Sequence, residues 1–253
     1  MDAGKLFSLT GRRALVTGGG RGIGRAIAVG FADAGADVAV AARTRSEIHE
    51  VASLIRETGK NSTGVALDLL DASGRAAAVE RARADLGGLD VLVNNAGAAP
   101  FDAPLAESHM EGWQKYLTLL ITAQAALTQQ VIRNWLEEGT PGVVINIASI
   151  YAFRGGPNLS YYSAGKHALI GLTRSLALEL ANKSVRVNAL CPGWVRTKMS
   201  RSGRDEGKGH LGDVPMGRWA EPEEMVGPAI FLASSASSYM TGQALVVDGG
   251  VLA

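Results

Sequence analysis

Short apolar runs alternate along the chain with longer stretches in which apolar residues return every three or four positions. The runs Ala14–Thr17, Val38–Ala42, Gly64–Leu67, Val91–Val93, Val143–Ile147, Arg186–Leu190 and Ala244–Val247 read as strands. Between them the longer period predicts helices over Gly22–Ala34, Ser46–Thr58, Ala72–Leu86, Glu111–Leu136, Ser160–Ala181 and Pro222–Leu232. Strands that alternate with helices call for right-handed βαβ crossovers and a parallel sheet. The expectation is an α/β fold in one domain over 1–253, with no repeat or linker dividing it. One stretch breaks the rhythm. Lys198–Val214 is rich in Gly, Ser and charge and lacks an apolar period, which suits a solvated loop or a lid over a strand end.

Composition narrows the function classes. The chain has 253 residues, 47% of them hydrophobic and 19% charged, enough for a substantial single core. A net charge of +1 gives no field that would draw nucleic acid or an anionic membrane. Cys191 is the only cysteine and the four histidines (His49, His109, His167, His210) are scattered, so no metal site is expected. No apolar run reaches the ~18 residues of a membrane span, and Met1–Thr10 lacks a secretory pattern. A soluble cytoplasmic protein is the expectation.

The first strand runs into Thr17-Gly18-Gly19-Gly20-Arg21-Gly22-Ile23-Gly24, and a helical pattern follows at once. Glycines let the backbone turn sharply and approach a diphosphate, which a helix N-terminus attracts. The ending lacks the Gly-Lys-Ser/Thr of a P-loop, so a dinucleotide fits better than ATP. The second strand chooses between dinucleotides. A carboxylate at its end would bind the 2′-hydroxyl of NAD, but here the end reads Ala41-Ala42-Arg43-Thr44-Arg45, and Asp37 sits at the start. Arg43, helped by Arg21, suits the 2′-phosphate of NADP(H), with NAD(H) as the alternative.

A third pattern carries chemistry. Ser149 closes the run Val143-Val144-Ile145-Asn146-Ile147-Ala148, and Tyr162 and Lys166 follow four residues apart on one helix face. An ammonium beside a phenol favours phenolate, so Lys166 is expected to lower the Tyr162 pKa toward neutrality.

In this order and spacing the motifs resemble the short-chain dehydrogenase/reductase family over essentially the whole chain. They run from Thr17-Gly18 through Gly22 and Gly24 to Asp68, Asn94-Asn95-Ala96-Gly97, Ser149, Tyr162/Lys166, Cys191-Pro192-Gly193 with Thr197, and Val247-Asp248-Gly249-Gly250. Within the family, the chain is similar to 3-oxoacyl-carrier-protein reductases and gluconate-5-dehydrogenase-like members. The resemblance implies a Rossmann-type doubly wound seven-stranded parallel sheet flanked by helices. It implies catalytic roles for Ser149, which would polarise a carbonyl, for Tyr162, which would protonate it, and for Lys166, which would also bind the nicotinamide ribose. The cofactor would be held by Gly18, Arg21, Gly22, Ile23, Gly24, Arg43, Asp68 (adenine), Asn94, Ala96, Gly97, Tyr162, Lys166, Pro192, Gly193, Val195 and Thr197. A homotetramer, packed through Glu111–Leu136 and Ser160–Ala181 with help from the C-terminal end, is implied as well.

The expected activity is reduction of a small-molecule ketone to an alcohol with NADP(H). The alternatives are an NAD-linked alcohol or polyol dehydrogenase, or a slow or non-catalytic dinucleotide-binding protein. The last rests on one departure: seven residues after Trp113, where the family places an asparagine that supports a water chain to the lysine, the chain has Leu120. Residues expected to face substrate are Ala98, Ala99, Ile150, Tyr151, Phe153, Tyr162, Trp194 and Met199, mostly apolar, with Arg201 and Arg204 able to swing in. They suit a hydrophobic, cyclic or acyl ketone better than a free sugar. Of the two arginines that acyl-carrier reductases offer their carrier protein, Arg133 is matched and the other position is Leu178.

Overall fold

The computed structural model describes residues 3–98, 103–200 and 213–253. Each apolar run forms a strand: β1 (Arg13–Thr17), β2 (Asp37–Ala42), β3 (Ser62–Ala66), β4 (Val91–Asn94), β5 (Gly142–Ile147), β6 (Val185–Pro192) and β7 (Ala244–Val247). All pair in parallel in the order β3-β2-β1-β4-β5-β6-β7. The runs are apolar throughout because both faces of a parallel sheet are covered. Ala14 and Val16 of β1 join one buried cluster with Ile27, Phe31 and Ile48, while Leu15 joins another with Leu127, Trp135 and Val187.

The helices are α1 (Ala3–Phe7), α2 (Gly22–Asp33), α3 (Arg45–Glu57), α4 (Ala72–Leu86), α5 (Met110–Leu117), α6 (Ala123–Glu138), α7 (Ser160–Leu180) and α8 (Val226–Ala233). Two expected helices are interrupted. Glu111–Leu136 is α5 and α6 joined by a π-helical turn over Thr118–Thr122, and Pro222–Leu232 begins as a 3-10 turn, Pro222–Met225, before α8. A widened turn keeps the apolar face almost in phase, so the sequence period does not reveal it.

After β3 the chain crosses back to place β4 on the other side of β1. That reversal opens a crevice outside the carboxyl ends of β1 and β4, where open α/β sheets bind ligands. The glycine turn, Asn94–Gly97, Ser149 and Pro192–Thr197 all follow strands at this end. Residues 201–212, with Arg201 and Arg204, and Ala99 lie outside the described residues.

Candidate active site

The glycine turn is shaped by its neighbours. Gly18 (φ +64°) and Gly24 leave no room for a Cβ: at Gly18 it would lie 2.8 Å from Asn95 Nδ2, and at Gly24 2.3 Å from Gly18 O. Asn95 Nδ2 donates to Thr17 O (2.9 Å) and Gly18 O (3.1 Å), and Thr17 Oγ1 accepts from the N–H groups of Asn95 (3.0 Å) and Ala96 (3.1 Å). Asn95 thus ties the glycine turn to the end of β4, a role the sequence reading did not give it. The Asn94 side chain is 1% exposed and donates to Thr128 Oγ1 (2.8 Å) and Asn146 Oδ1 (2.9 Å), so it points into the protein and leaves its backbone to meet a ligand. At a strand end adjacent residues face opposite ways, and the buried side fell to Asn94.

No side chain caps the start of α2, so its first-turn N–H groups remain available to an anion. Ile23 is half-buried on that turn, and Thr197 arches over Gly22, its Cγ2 3.3 Å from where a Cβ would stand. Arg21 is held by Glu47 at 3.6 Å, whereas Arg43, exposed beyond β2, has no ion pair among the described residues. Asp68 is exposed after β3, with Oδ1 accepting from Leu70 N–H (3.0 Å). Ala96, Gly97, Pro192, Gly193 and Val195 border the same end of the sheet, Gly193 so close to Asp248 that a Cβ would come within 2.7 Å of its Cα.

Ser149 follows β5, and its Oγ accepts from Tyr151 N–H (3.2 Å). The Tyr162 hydroxyl is hydrogen-bonded to Ser149. One turn further along α7, Lys166 Nζ lies 5.8 Å from the Tyr162 ring centroid and donates to Ile147 O (2.8 Å). The structure therefore brings all three residues to one strand end. The expected drop in the Tyr162 pKa is not found. Burial pushes it above the ordinary tyrosine value, against the opposing hydrogen bond from Ser149, while burial draws Lys166 down to about 8. The ammonium is committed to a carbonyl and is itself short of solvation.

Tyr151 forms the wall beside Tyr162, ring centroids 6.0 Å apart, and meets Trp194 at 6.2 Å; Trp194 stacks on Trp219 at 5.4 Å. Arg154, which the sequence reading passed over, holds its guanidinium 5.9 Å above the Tyr151 ring. Of the other residues expected to face substrate, Ile150 is 2% exposed and belongs to the interior, Phe153 and Met199 are exposed, and Ala98 is half-buried. Leu120 is 1% exposed, packed against Gly165. Arg133 lies on α6, and Leu178 on α7 is 84% exposed.

A family model described as enoyl-(acyl carrier protein) reductase matches residues 18–252. The 2-dehydro-3-deoxy-D-gluconate 5-dehydrogenase of Dickeya dadantii is 39% identical over 250 residues, covering 98% of each chain. The chain belongs to the short-chain dehydrogenase/reductase family. As a member it is an oxidoreductase acting on CH–OH groups and the matching carbonyls. Among solved family structures, a candidate NAD(P)-dependent gluconate 5-dehydrogenase of Beutenbergia cavernae, with NADP at low occupancy, is 46% identical at a TM-score of 0.92, covering 98% of this chain and 99% of that one. A gluconate 5-dehydrogenase of Burkholderia cenocepacia, in complex with NADP and tartrate, is 34% identical at a TM-score of 0.93, covering 99% and 98%. Among the described residues no group of His, Cys, Asp and Glu could hold a metal ion, and no helix is long and apolar enough to cross a membrane.

Proposed function

We propose that this family member is an NADP(H)-dependent oxidoreductase that interconverts a ketone and a secondary alcohol on a hydroxylated carboxylic acid. The observation that carries the reading is the Ser149–Tyr162–Lys166 constellation at the strand end beside an uncapped glycine turn.

For the cofactor, the first turn of α2 takes the diphosphate, Asp68 the adenine amino group, and Arg43 the 2′-phosphate. Arg43 has no ion pair among the described residues, and the first carboxylate after β2, Glu47, has its charge offset by Arg21 at 3.6 Å. The nicotinamide, when bound, supplies or accepts the hydride. Ser149 Oγ holds the substrate oxygen, and the Tyr162 hydroxyl delivers the proton to it. The raised Tyr162 pKa keeps that proton in place at neutral pH, which suits the reductive direction. Lys166 holds its charge next to the phenol and restores the proton balance after transfer.

The substrate class rests on the mouth of the site and on the relatives. Tyr151 and Trp194 offer ring faces to the C–H side of a polyol. Arg154, its guanidinium 5.9 Å from the Tyr151 ring centroid, sets a positive charge at the rim that an anionic group could meet. Relatives named for gluconate derivatives, and the tartrate bound in one of them, fit that chemistry. We place the enzyme in the cytoplasm as a homotetramer, with exposed Leu178 and Val246 among the apolar residues to be covered.

Fluorescence titration tests the reading. NADPH should bind at least tenfold more tightly than NADH, and Arg43→Ala should remove most of that preference while leaving NADH binding within about twofold. Equal losses for both cofactors would strip Arg43 of its role. A panel of keto-sugar acids and neutral ketones, run with the preferred cofactor, should show turnover on the acids first.

A further inference from the structure

Arg12 and Arg186 line one cavity of about 630 Å³, together with Ser184, Ser235, Ser238 and Thr241. The starts of β5 and β6 and the turn after α8 form its walls. It opens at the far end of the strands from Ser149 and shares no residue with the cofactor or substrate positions. None of its lining residues is acidic.

The two positive charges are not offset from elsewhere either. Arg186 gives its hydrogen bonds to Ser237 Oγ and to the carbonyls of Leu232, Ser234 and Met240, all neutral acceptors. Such bonds satisfy its donors and leave its charge standing. Arg12, half-buried just before β1, has neither an ion pair nor a side-chain hydrogen bond among the described residues. Burial, and after it the like charge of Arg12, holds the Arg186 pKa below the ordinary arginine value, so each guanidinium feels the other across the cavity. Like charges facing each other in a partly enclosed space repel, and an anion between them relieves that repulsion. The hydroxyls of Ser184 and Ser238 have no protein partner among the described residues and stand exposed on the same lining. A planar guanidinium with hydroxyl donors beside it suits an oxyanion with several acceptor oxygens.

We propose that this cavity is a second binding site, for the phosphate group of a small molecule, held by Arg12 and by the field of Arg186, with the Ser184 and Ser238 hydroxyls as further donors. Its volume falls in the range of small-molecule sites and exceeds what free phosphate fills, which favours a phosphate ester. Occupancy steadies the amino ends of β5 and β6 through binding to the folded chain alone. It takes no part in hydride or proton transfer.

Arg12 is the residue to change, because its main-chain bonds to Leu9 and Asp37 survive any substitution and Arg186 keeps its own. Thermal unfolding is followed in chloride and in inorganic phosphate of equal ionic strength. Phosphate at about 20 mM should raise the wild-type midpoint by about 3 °C or more, and Arg12→Gln should lose most of that gain. In chloride the same variant should be at least as stable as wild type, because it removes a repulsion. Arg12→Glu supplies the missing anion from the chain itself, so it should exceed wild type in chloride and respond least to phosphate. General exclusion of phosphate from protein surfaces, or phosphate held at the first turn of α2, acts on all three proteins alike and cancels in the comparison. Equilibrium dialysis with inorganic phosphate and with glycerol 3-phosphate then separates the two sources. Tighter binding of the ester, weakened about tenfold or more by Arg12→Gln, is the expected result. Equal phosphate gains in the three proteins overturn the proposal, as does an Arg12→Gln variant less stable than wild type by the same amount in both salts. Tighter binding of the free ion would overturn the choice of an ester.

Discussion

A half-buried cation and a buried one stand at opposite ends of the same sheet. Arg186, near the amino end of β6, lines a cavity of about 630 Å³ with Arg12, Ser235 and Tyr239. It donates to Ser237 Oγ (3.0 Å), Met240 O (3.2 Å), Leu232 O (2.9 Å) and Ser234 O (3.1 Å). Lys166, at the carboxyl end of β5, donates to Ile147 O. Neither has a carboxylate partner among the described residues. Arg186 ends α8 and anchors the turn that follows, and its hydrogen-bonding capacity is used there. Lys166 is held in the fold with capacity to spare. The cavity lies beside the satisfied cation, whereas the site proposed for the chemistry sets a buried charge next to a titratable hydroxyl.

The largest effect expected is at the carboxyl end. On the proposed mechanism Tyr162→Phe removes the proton that is transferred, and turnover should fall about a thousandfold or more, with NADPH binding within about twofold of wild type. Retained turnover would reduce Lys166 to a structural cation like Arg186. At the amino end, Arg186→Leu removes one donor from each of four oxygens and should cost about 2–3 kcal/mol in chemical denaturation, with kcat per folded molecule unchanged. A loss of kcat in the folded fraction would instead make the amino end part of the working site.

The two ends also differ in how far they could be read from sequence. Strand runs such as Val143–Ile147 are legible because apolar residues on both faces have no other stable home. Tyr162 and Lys166 are legible because four residues on a helix fix a shared face, and Ser149 because it closes a strand. What escaped depends on contacts between distant segments. Nothing in the period of Glu111–Leu136 marks the π-turn at Thr118–Thr122, and nothing local says that Asn94 turns inward while Asn95 ties the glycine turn. The direction of the Tyr162 shift follows from burial, which a Tyr-x-x-x-Lys spacing does not contain. Counting apolar residues near Ser149 described a greasy substrate face. Arg154 over Tyr151, an interaction between side chains three residues apart, gives that face a charge.

The smallest effect separates the two cations most sharply, because it asks whether Lys166 helps or hinders folding. Its ordinary value is 10.5, and burial draws it to about 8. Below pH 8 the ammonium is charged in both folded and unfolded chains, so folding carries the whole cost of burying it. Between about 8 and 10.5 the folded protein releases a proton that the unfolded chain keeps. The unfolded state then binds more protons, and stability rises with pH. Lys166→Met removes the titrating group while filling much of its volume. At pH 7 the cofactor-free variant should be more stable than wild type, by on the order of 1 kcal/mol after its lost bond to Ile147 O is counted, and inactive. Denaturation at pH 7 and pH 10 should show that advantage shrinking. If the variant is instead the less stable of the two at pH 7, the bond to Ile147 outweighs the cost of burial. Lys166 would then be a strut like Arg186, and the contrast between the two ends of the sheet would be gone.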